Sequence, residues 1–160
     1  MKYLHIIIFA ILIGCADTNQ SILKTDDELS SNIKMLVEKY ENNDFEVSQY
    51  YADDVITRIN NTELTGFENL TAGFKAHHDM LYDNIKMKDL YVHTNYFANG
   101  EIWSNVWATW TGTGKTTGKE YSLPTHFDYK WENGKIVVVQ GYFDKSIEKM
   151  EIAAYTEAQN

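Results

Sequence analysis

Three shortages in this chain close off whole classes of function. It has one cysteine among 160 residues, so no intrachain disulfide can staple the fold. Lys and Arg together number 14 against 23 acidic residues, a net charge of −9, and that excludes a nucleic-acid binder, whose phosphate contacts need a clustered basic surface. Arg58 is the only arginine. Long hydrophobic runs are also missing. The apolar stretch Leu4 to Ile13 is too short to cross a bilayer as a helix, which takes about twenty residues. Two apparent motifs fail on inspection. The segment Thr111-Gly112-Thr113-Gly114-Lys115-Thr116-Thr117 looks like a phosphate loop, but Thr109 stands where its first glycine belongs and the segment joins two strands. His77-His78-Asp79, with His93 or His126 as further ligands, invites a metal. Adjacent helical side chains point about 100° apart, however, and no His-x-x-x-His spacing occurs, so neither metal nor cofactor is expected.

What is present is a domain's worth of core: 44% hydrophobic and 14% aromatic residues suit one compact unit. Its organising stretch runs from Ile102 to Asp144, three extended segments with turn signals between them. Asn133-Gly134 between two apolar runs predicts a two-residue type I′ hairpin. If Glu132 and Lys135 flank that turn, Lys130 faces Val137, Asp128 faces Val139 and His126 faces Gly141. One face then carries Pro124, His126, Asp128, Val137, Val139, Gly141 and Phe143. The other carries Thr125, Phe127, Tyr129, Trp131, Ile136, Val138, Gln140 and Tyr142. Both are too apolar to lie in water, so each must be covered.

Upstream, Thr25-Asp26-Asp27-Glu28 predicts a helix start, and Leu29, Ile33, Leu36, Val37 and Tyr40 form an apolar stripe to about Glu41. A short helix over Phe45 to Tyr51, a strand over Val55 to Ile59 and a third helix from Phe67 to Tyr82 follow. From Ile85 the spacing turns extended, with Ile102 to Thr111 placing Trp103 and Trp107 on one face and Ile102, Val106 and Trp110 on the other. Asp144 to Tyr155 reads as a last helix. Helices first and an antiparallel meander after make an α+β domain over residues 26–155.

The N-terminus reads as a processing signal. Lys2, the apolar run and Leu12-Ile13-Gly14-Cys15 resemble the signal peptide and lipobox of bacterial lipoproteins. That resemblance implies removal of residues 1–14 and lipidation of Cys15, which leaves no free thiol and anchors the protein in the cell envelope, on the outer membrane or periplasmic side. Residues 15–25 then read as the acylated cysteine and a polar tether, Ala16 to Thr25, with a reach of about 18 Å.

The order of elements carries a second resemblance. A helix, a short helix ending Tyr50-Tyr51-Ala52-Asp53-Asp54-Val55, Gly66 opening another helix, and Asn133-Gly134-Lys135-Ile136 leading to Tyr142-Phe143-Asp144 resemble the nuclear transport factor 2-like superfamily, most closely its SnoaL-like branch. The likeness implies a cone-shaped, curved antiparallel sheet wrapped around N-terminal helices, a pocket at the open end, and often a dimer across the outer sheet face. Phe127, Tyr129, Val138 and Tyr142 are the residues expected on that outer face, and a homodimer is expected.

The candidate chemistry follows. His126 and Asp128, two apart on one strand, share a face and form a candidate acid-base pair lining the pocket. The resemblance puts His126 where ketosteroid isomerases of this superfamily keep an acid that donates to an oxyanion. The isomerase tyrosine and proton-shuttling aspartate positions fall near Leu36 and near Ile59 or Asn60, so that reaction is not expected. Asp144 is the nearest match to the late acid of polyketide cyclases, and equally stands where a helix needs its cap. Tyr50, Tyr51, Trp103, Trp107 and Phe143 are candidate walls of an apolar ligand site, or ordinary core. His77 shares the stripe of Leu70, Phe74 and Leu81 as a packed or pocket-lining residue. Arg58 either clamps a ligand carboxylate or pairs with Asp53 or Asp54. The overall expectation is a small, mostly apolar ligand held in the cone, with isomerase, cyclase or dehydratase chemistry by His126 and Asp128 as the alternative.

Overall fold

The computed structural model describes residues 20–159; residues 1–14, Cys15 and the start of the expected tether lie outside them. The first helix, α1 (Glu28–Glu41), starts where the sequence signals it: the Asp27 carboxylate accepts from the backbone N–H of Ser30 at 3.1 Å, and Glu28 lies in the first turn. Its inward stripe is Ser30, Ile33, Leu36 and Val37. The expected second helix shrinks to one tight turn, Ser48–Tyr50. Strand β2 (Tyr51–Ile59) begins at once, with Tyr51 buried beside Ile136 and Val55 buried in the core. Strand β3 (Thr62–Thr65) and helix α2 (Phe67–Ala76) follow, and α2 runs into a π-helical turn over His77–Leu81. The remainder is β4 (Tyr82–Tyr96), β5 (Ile102–Gly114), β6 (Glu120–Glu132), β7 (Lys135–Tyr142) and α3 (Ser146–Ala158). Among the described residues no helix is long and apolar enough to cross a membrane.

One seven-stranded curved sheet holds everything, and it is mixed where the sequence reading expects it antiparallel throughout. Counting Ile22–Lys24 as β1, the strand order is β1-β4-β5-β6-β7-β2-β3. Strand β2 runs parallel to β7, with Thr57 beside Val139, because the chain returns to β7 only after the whole meander. Strand β1 lies within the stretch expected to be tether: Lys24 pairs with Thr94 on β4. At three and four residues, β1 and β3 are too short for a strand period to show in the sequence.

A buried polar chain fixes the helix on the sheet. Trp131 Nε1 donates to Ser104 Oγ at 2.8 Å, Ser104 and Thr94 share a hydrogen bond of 2.8 Å, and Thr94 and Ser30 share one of 2.9 Å. Ser30, Thr94 and Ser104 are fully buried. Such groups are tolerated inside only because each is satisfied by the next, so the chain sets where α1 crosses β4 and β5.

The type I′ turn forms as expected, with positive φ at Asn133 (51°) and Gly134 (75°) and Glu132 opposite Lys135. The register then slips. Trp131 pairs with Ile136 but Lys130 pairs with Val138, leaving Val137 as an extra residue; beyond it Asp128 faces Gln140 and His126 faces Tyr142. This bulge decides which side chains look inward. Without it, each face of the hairpin mixes apolar and polar groups. With it, Phe127, Tyr129 and Trp131 join Ile136, Val139 and Gly141 on the buried face, while His126, Asp128 and Lys130 join Val138, Gln140 and Tyr142 on the other. Burial of apolar surface favours the segregated arrangement. The expected faces are therefore corrected: His126 and Asp128 turn away from the core, and Phe127 and Tyr129 turn into it. Gly141 allows this, since a Cβ there would lie 2.5 Å from Phe127 Cε1 and 2.8 Å from Ile59 Cδ1.

Candidate ligand cavity

The concave side of the sheet, flanked by α1, α2 and the start of α3, lines a partly open cavity of about 90 Å³. By the same measure one water takes about 10–15 Å³, so the space equals roughly six to nine waters. Its wall is built from the alternating inward residues of the strands: Val106 and Trp110 from β5, Leu123, Thr125, Phe127 and Tyr129 from β6, and Tyr51 from the head of β2. Leu36, Val37 and Tyr40 of α1 and Leu70 and Phe74 of α2 cover the opposite side. Beyond Phe74 and Phe143 a second hollow of about 180 Å³ shares His77 with the first.

The polar groups of this wall form a short relay. Trp110 Nε1 donates to the Tyr40 hydroxyl at 3.1 Å, and that hydroxyl lies 3.1 Å from His77 Nδ1. An indole N–H can only donate, so the tyrosine oxygen is an acceptor toward Trp110 and its own hydrogen is free for Nδ1. Burial, with smaller contributions from His78 and Lys145, pulls the pKa of His77 down to about 4. The ring is neutral at neutral pH, its Nδ1 accepts from Tyr40, and its proton sits on Nε2. Among the described residues no hydrogen bond from that Nε2–H is seen, and His77 lines both hollows.

The hydroxyls of Tyr51, Tyr82 and Tyr129, all cavity-lining, likewise have no hydrogen-bond partner among the described residues. Burial raises the pKa of each above the ordinary tyrosine value, with smaller contributions from Tyr129 at Tyr51 and from Asp128 at Tyr129. Each therefore stays a protonated donor. The threonines have spent their hydrogens: Thr125 Oγ1 donates to the carbonyl of Ala108 and Thr71 Oγ1 to that of Phe67. Acids stand at the rim. Asp44 pairs with Lys39 at 2.5 Å, and Glu148 with Lys145 at 3.6 Å. Asp144, also lining the space, accepts from the Ser146 backbone N–H at 2.8 Å, and this bond holds its carboxyl below the usual aspartate range. Its oxygen meets the first backbone N–H of α3, although Lys145 and not Asp144 stands at the cap position.

The expected site residues divide between two faces. Tyr51, His77, Phe143 and Asp144 reach the cavity. Tyr50 packs against the core without lining the space. Arg58 pairs with neither Asp53 nor Asp54: its Nε donates to Glu63 at 2.8 Å across the β2–β3 pair, because that hairpin sets the two opposite one another. His126, Asp128, Trp103 and Trp107 stand on the outer face. There His126 Nε2 and Asp128 Oδ1 are 2.8 Å apart, Asn105 also donates to Asp128, and the rings of Trp107 and His126 lie 3.9 Å apart between centroids. The imidazole and carboxylate do pair, but across the sheet from the cavity. Their row continues through Tyr91, Trp107, His126 and Tyr142 on four neighbouring strands, with Trp107 54% exposed. Tyr40, Trp110 and Tyr129 are the wall residues missed as site candidates. The first two were visible as inward positions, Tyr40 on the stripe of α1 and Trp110 opposite Trp103 and Trp107. Among the described residues no group of three or more His, Cys, Asp or Glu is placed to hold a metal.

No family model and no curated protein matches the chain. Solved structures do. A protein assigned as a polyketide cyclase from Xanthomonas campestris superposes with a TM-score of 0.62 at 17% identity, covering 78% of this chain and 95% of its own. A protein assigned as a SnoaL-like polyketide cyclase from Jannaschia gives 0.56 at 11% identity, over 78% of this chain and 89% of its own. A protein of ketosteroid isomerase-like fold from Catenulispora acidiphila, in complex with trimethylamine, gives 0.55 at 17%, over 78% and 91%. At such identities the likeness speaks for fold and not for activity. The chain thus has the cone-shaped α+β fold shared by SnoaL-like and ketosteroid isomerase-like proteins.

Proposed function

We propose that this is a lipid-anchored protein of the bacterial envelope whose domain binds a small, mostly apolar ligand in the cavity of the cone. The observation that carries the reading is the wall itself: a hollow with an aromatic and aliphatic lining, interrupted by a few tyrosine hydroxyls that no described protein group satisfies. Pockets of that kind are typical of small-molecule sites. Anchoring rests on the Leu12-Ile13-Gly14-Cys15 tetrad behind the basic and apolar leader. A homodimer is part of the proposal, built over the exposed row of Tyr91, Trp107 and Tyr142, since such a patch is where a partner surface is expected.

Catalysis by His126 with Asp128 does not enter the reading, because both lie across the sheet from the cavity. Asp144, held ionised by its bond from Ser146, is ill suited to donate a proton there. Incubation of the purified protein with a bacterial metabolite extract, followed by native mass spectrometry, is expected to return a defined bound species. Leu123→Trp, which pushes an indole into the space, is expected to lose it. A protein that retains nothing, or a Leu123→Trp variant that retains the same species, contradicts ligand binding in the cone.

A further inference from the structure

We infer that the sheet edge formed by Ile22, Leu23 and Phe97 is a foot that rests in the lipid surface carrying the anchor, and that the cavity rim is held away from the bilayer. The inference rests on the lipid-anchor reading and adds how the domain stands on its membrane. Ile22 follows Cys15 by seven residues, a stretch that spans at most about 25 Å even when fully extended. Beyond that point there is no slack. Ile22, Leu23 and Lys24 pair with Tyr96, Asn95 and Thr94 on β4, and Ser21 Oγ accepts from the backbone N–H of Ala98 at 3.3 Å. The Tyr96 hydroxyl in turn donates to the Asp27 carboxylate that caps α1. An acyl chain on Cys15 therefore keeps this one edge of the sheet beside the lipid.

The side chains of that edge suit an apolar surface. Ile22 is 55% exposed, Leu23 53% and Phe97 42%, and Phe97 follows directly on Tyr96, the β4 partner of Ile22. Large apolar side chains gathered at one exposed place mark a contact surface, and a bilayer is the surface that the anchor supplies. The neighbouring charges do not oppose it. Lys24, its ammonium 5.1 Å from the centre of the Tyr96 ring, can reach lipid phosphates while its stem lies along apolar surface, and Glu101 past the turn is paired with Lys130 at 3.2 Å. The cavity rim lies at the far end. Helix α1 starts beside the foot and runs fourteen residues, about 21 Å at 1.5 Å per residue, before the chain reaches Asp44 on the rim. Tyr82 and Trp110, toward the ends of β4 and β5 away from Tyr96 and Ile102, line the cavity as well. A ligand thus enters from the aqueous side.

The test uses the full chain, produced in a bacterium and reconstituted in vesicles of phosphatidylethanolamine and phosphatidylglycerol that carry a nitroxide quencher on the lipid. Cys15 is the only cysteine, so once it is acylated Asn99→Cys at the foot and Lys119→Cys in the loop between β5 and β6 each accept a single fluorophore. The label at position 99 is expected to be quenched at least about threefold more strongly than the label at 119, as for a group seated about 5–10 Å into the headgroup layer. Leu23→Ser combined with Phe97→Ser is expected to remove that difference. Mass spectrometry of the extracted protein reads the acylation of Cys15 separately. An acylated protein whose two labels are quenched alike, or whose contrast survives the serine substitutions, overturns the foot while the anchor stands. So does a label at 99 that is shielded from water yet untouched by the lipid quencher, since a protein surface then covers the edge. A Cys15 without an acyl chain overturns both.

Discussion

Acid should loosen this fold in part through His77, and the size of that contribution follows from its burial. The ring lies between Tyr40, Phe74 and Tyr82, with centroids 6.4, 6.2 and 5.9 Å away. Burial lowers its pKa from 6.5 to about 4. The folded pKa lies below the unfolded one, so between pH 6.5 and 4 the unfolded chain binds a proton that the folded chain refuses. Above pH 6.5 both states are neutral and His77 contributes nothing to the pH dependence. As pH falls through the window, stability is lost. Going from pH 7 to pH 4.5, the loss from this residue alone is about 2–3 kcal/mol, a large fraction of the 5–15 kcal/mol (roughly) by which small domains are stable. Other groups titrate over the same range, so the measurement is a difference: urea unfolding of the wild type and of His77→Gln at pH 7 and pH 4.5. Gln keeps an acceptor for Tyr40 but cannot take a proton. The variant is expected to lose about 2–3 kcal/mol less than the wild type over that interval. Equal losses in the two proteins would refute the placement of a neutral, buried imidazole at the cavity wall.

Three further perturbations probe separate parts of the structure. Thr94→Val keeps the shape but strips the middle link from the Trp131–Ser104–Thr94–Ser30 chain, and should cost about 1–3 kcal/mol in urea unfolding; a neutral result would mean the chain does not hold α1. Gly141→Ala places a methyl against Phe127 and Ile59, an overpacking expected to destabilise by about 1–3 kcal/mol, read as a lower unfolding midpoint. Trp107→Ala, at the centre of the exposed row, should weaken self-association roughly tenfold or more in sedimentation and leave the species retained from the extract unchanged; a wild type that stays monomeric at micromolar concentration contradicts the dimer.

Much of this architecture is legible in the residues. The helix start at Asp27, the Asn133-Gly134 turn and the alternation that puts Val106 and Trp110 opposite Trp103 and Trp107 are local signals, and the structure follows each. What escapes the sequence is non-local. The parallel pairing of β2 with β7 joins segments about eighty residues apart, and no periodicity encodes it. The bulge at Val137 is a single extra residue in a run of three valines, any of which fits a pleated strand. Yet it reverses which side of β7 joins which side of β6, and with it the side expected of His126. The cavity was legible as a set of apolar faces, but its donors were not. Whether the hydroxyl of Tyr40, Tyr51 or Tyr129 meets a partner depends on packing across α1, β2 and β6, which only the folded chain brings together.

The account turns on which side of the sheet receives a ligand. Methyl-labelled NMR of the protein titrated with the species it retains from the extract reads this directly, with Leu36, Leu70, Val106, Leu123 and Ile147 reporting on the inside and the Trp107 indole N–H on the outside. Shifts confined to those methyls are the predicted result. A moving Trp107 signal over silent interior methyls would place the ligand against His126 instead, and would contradict the account.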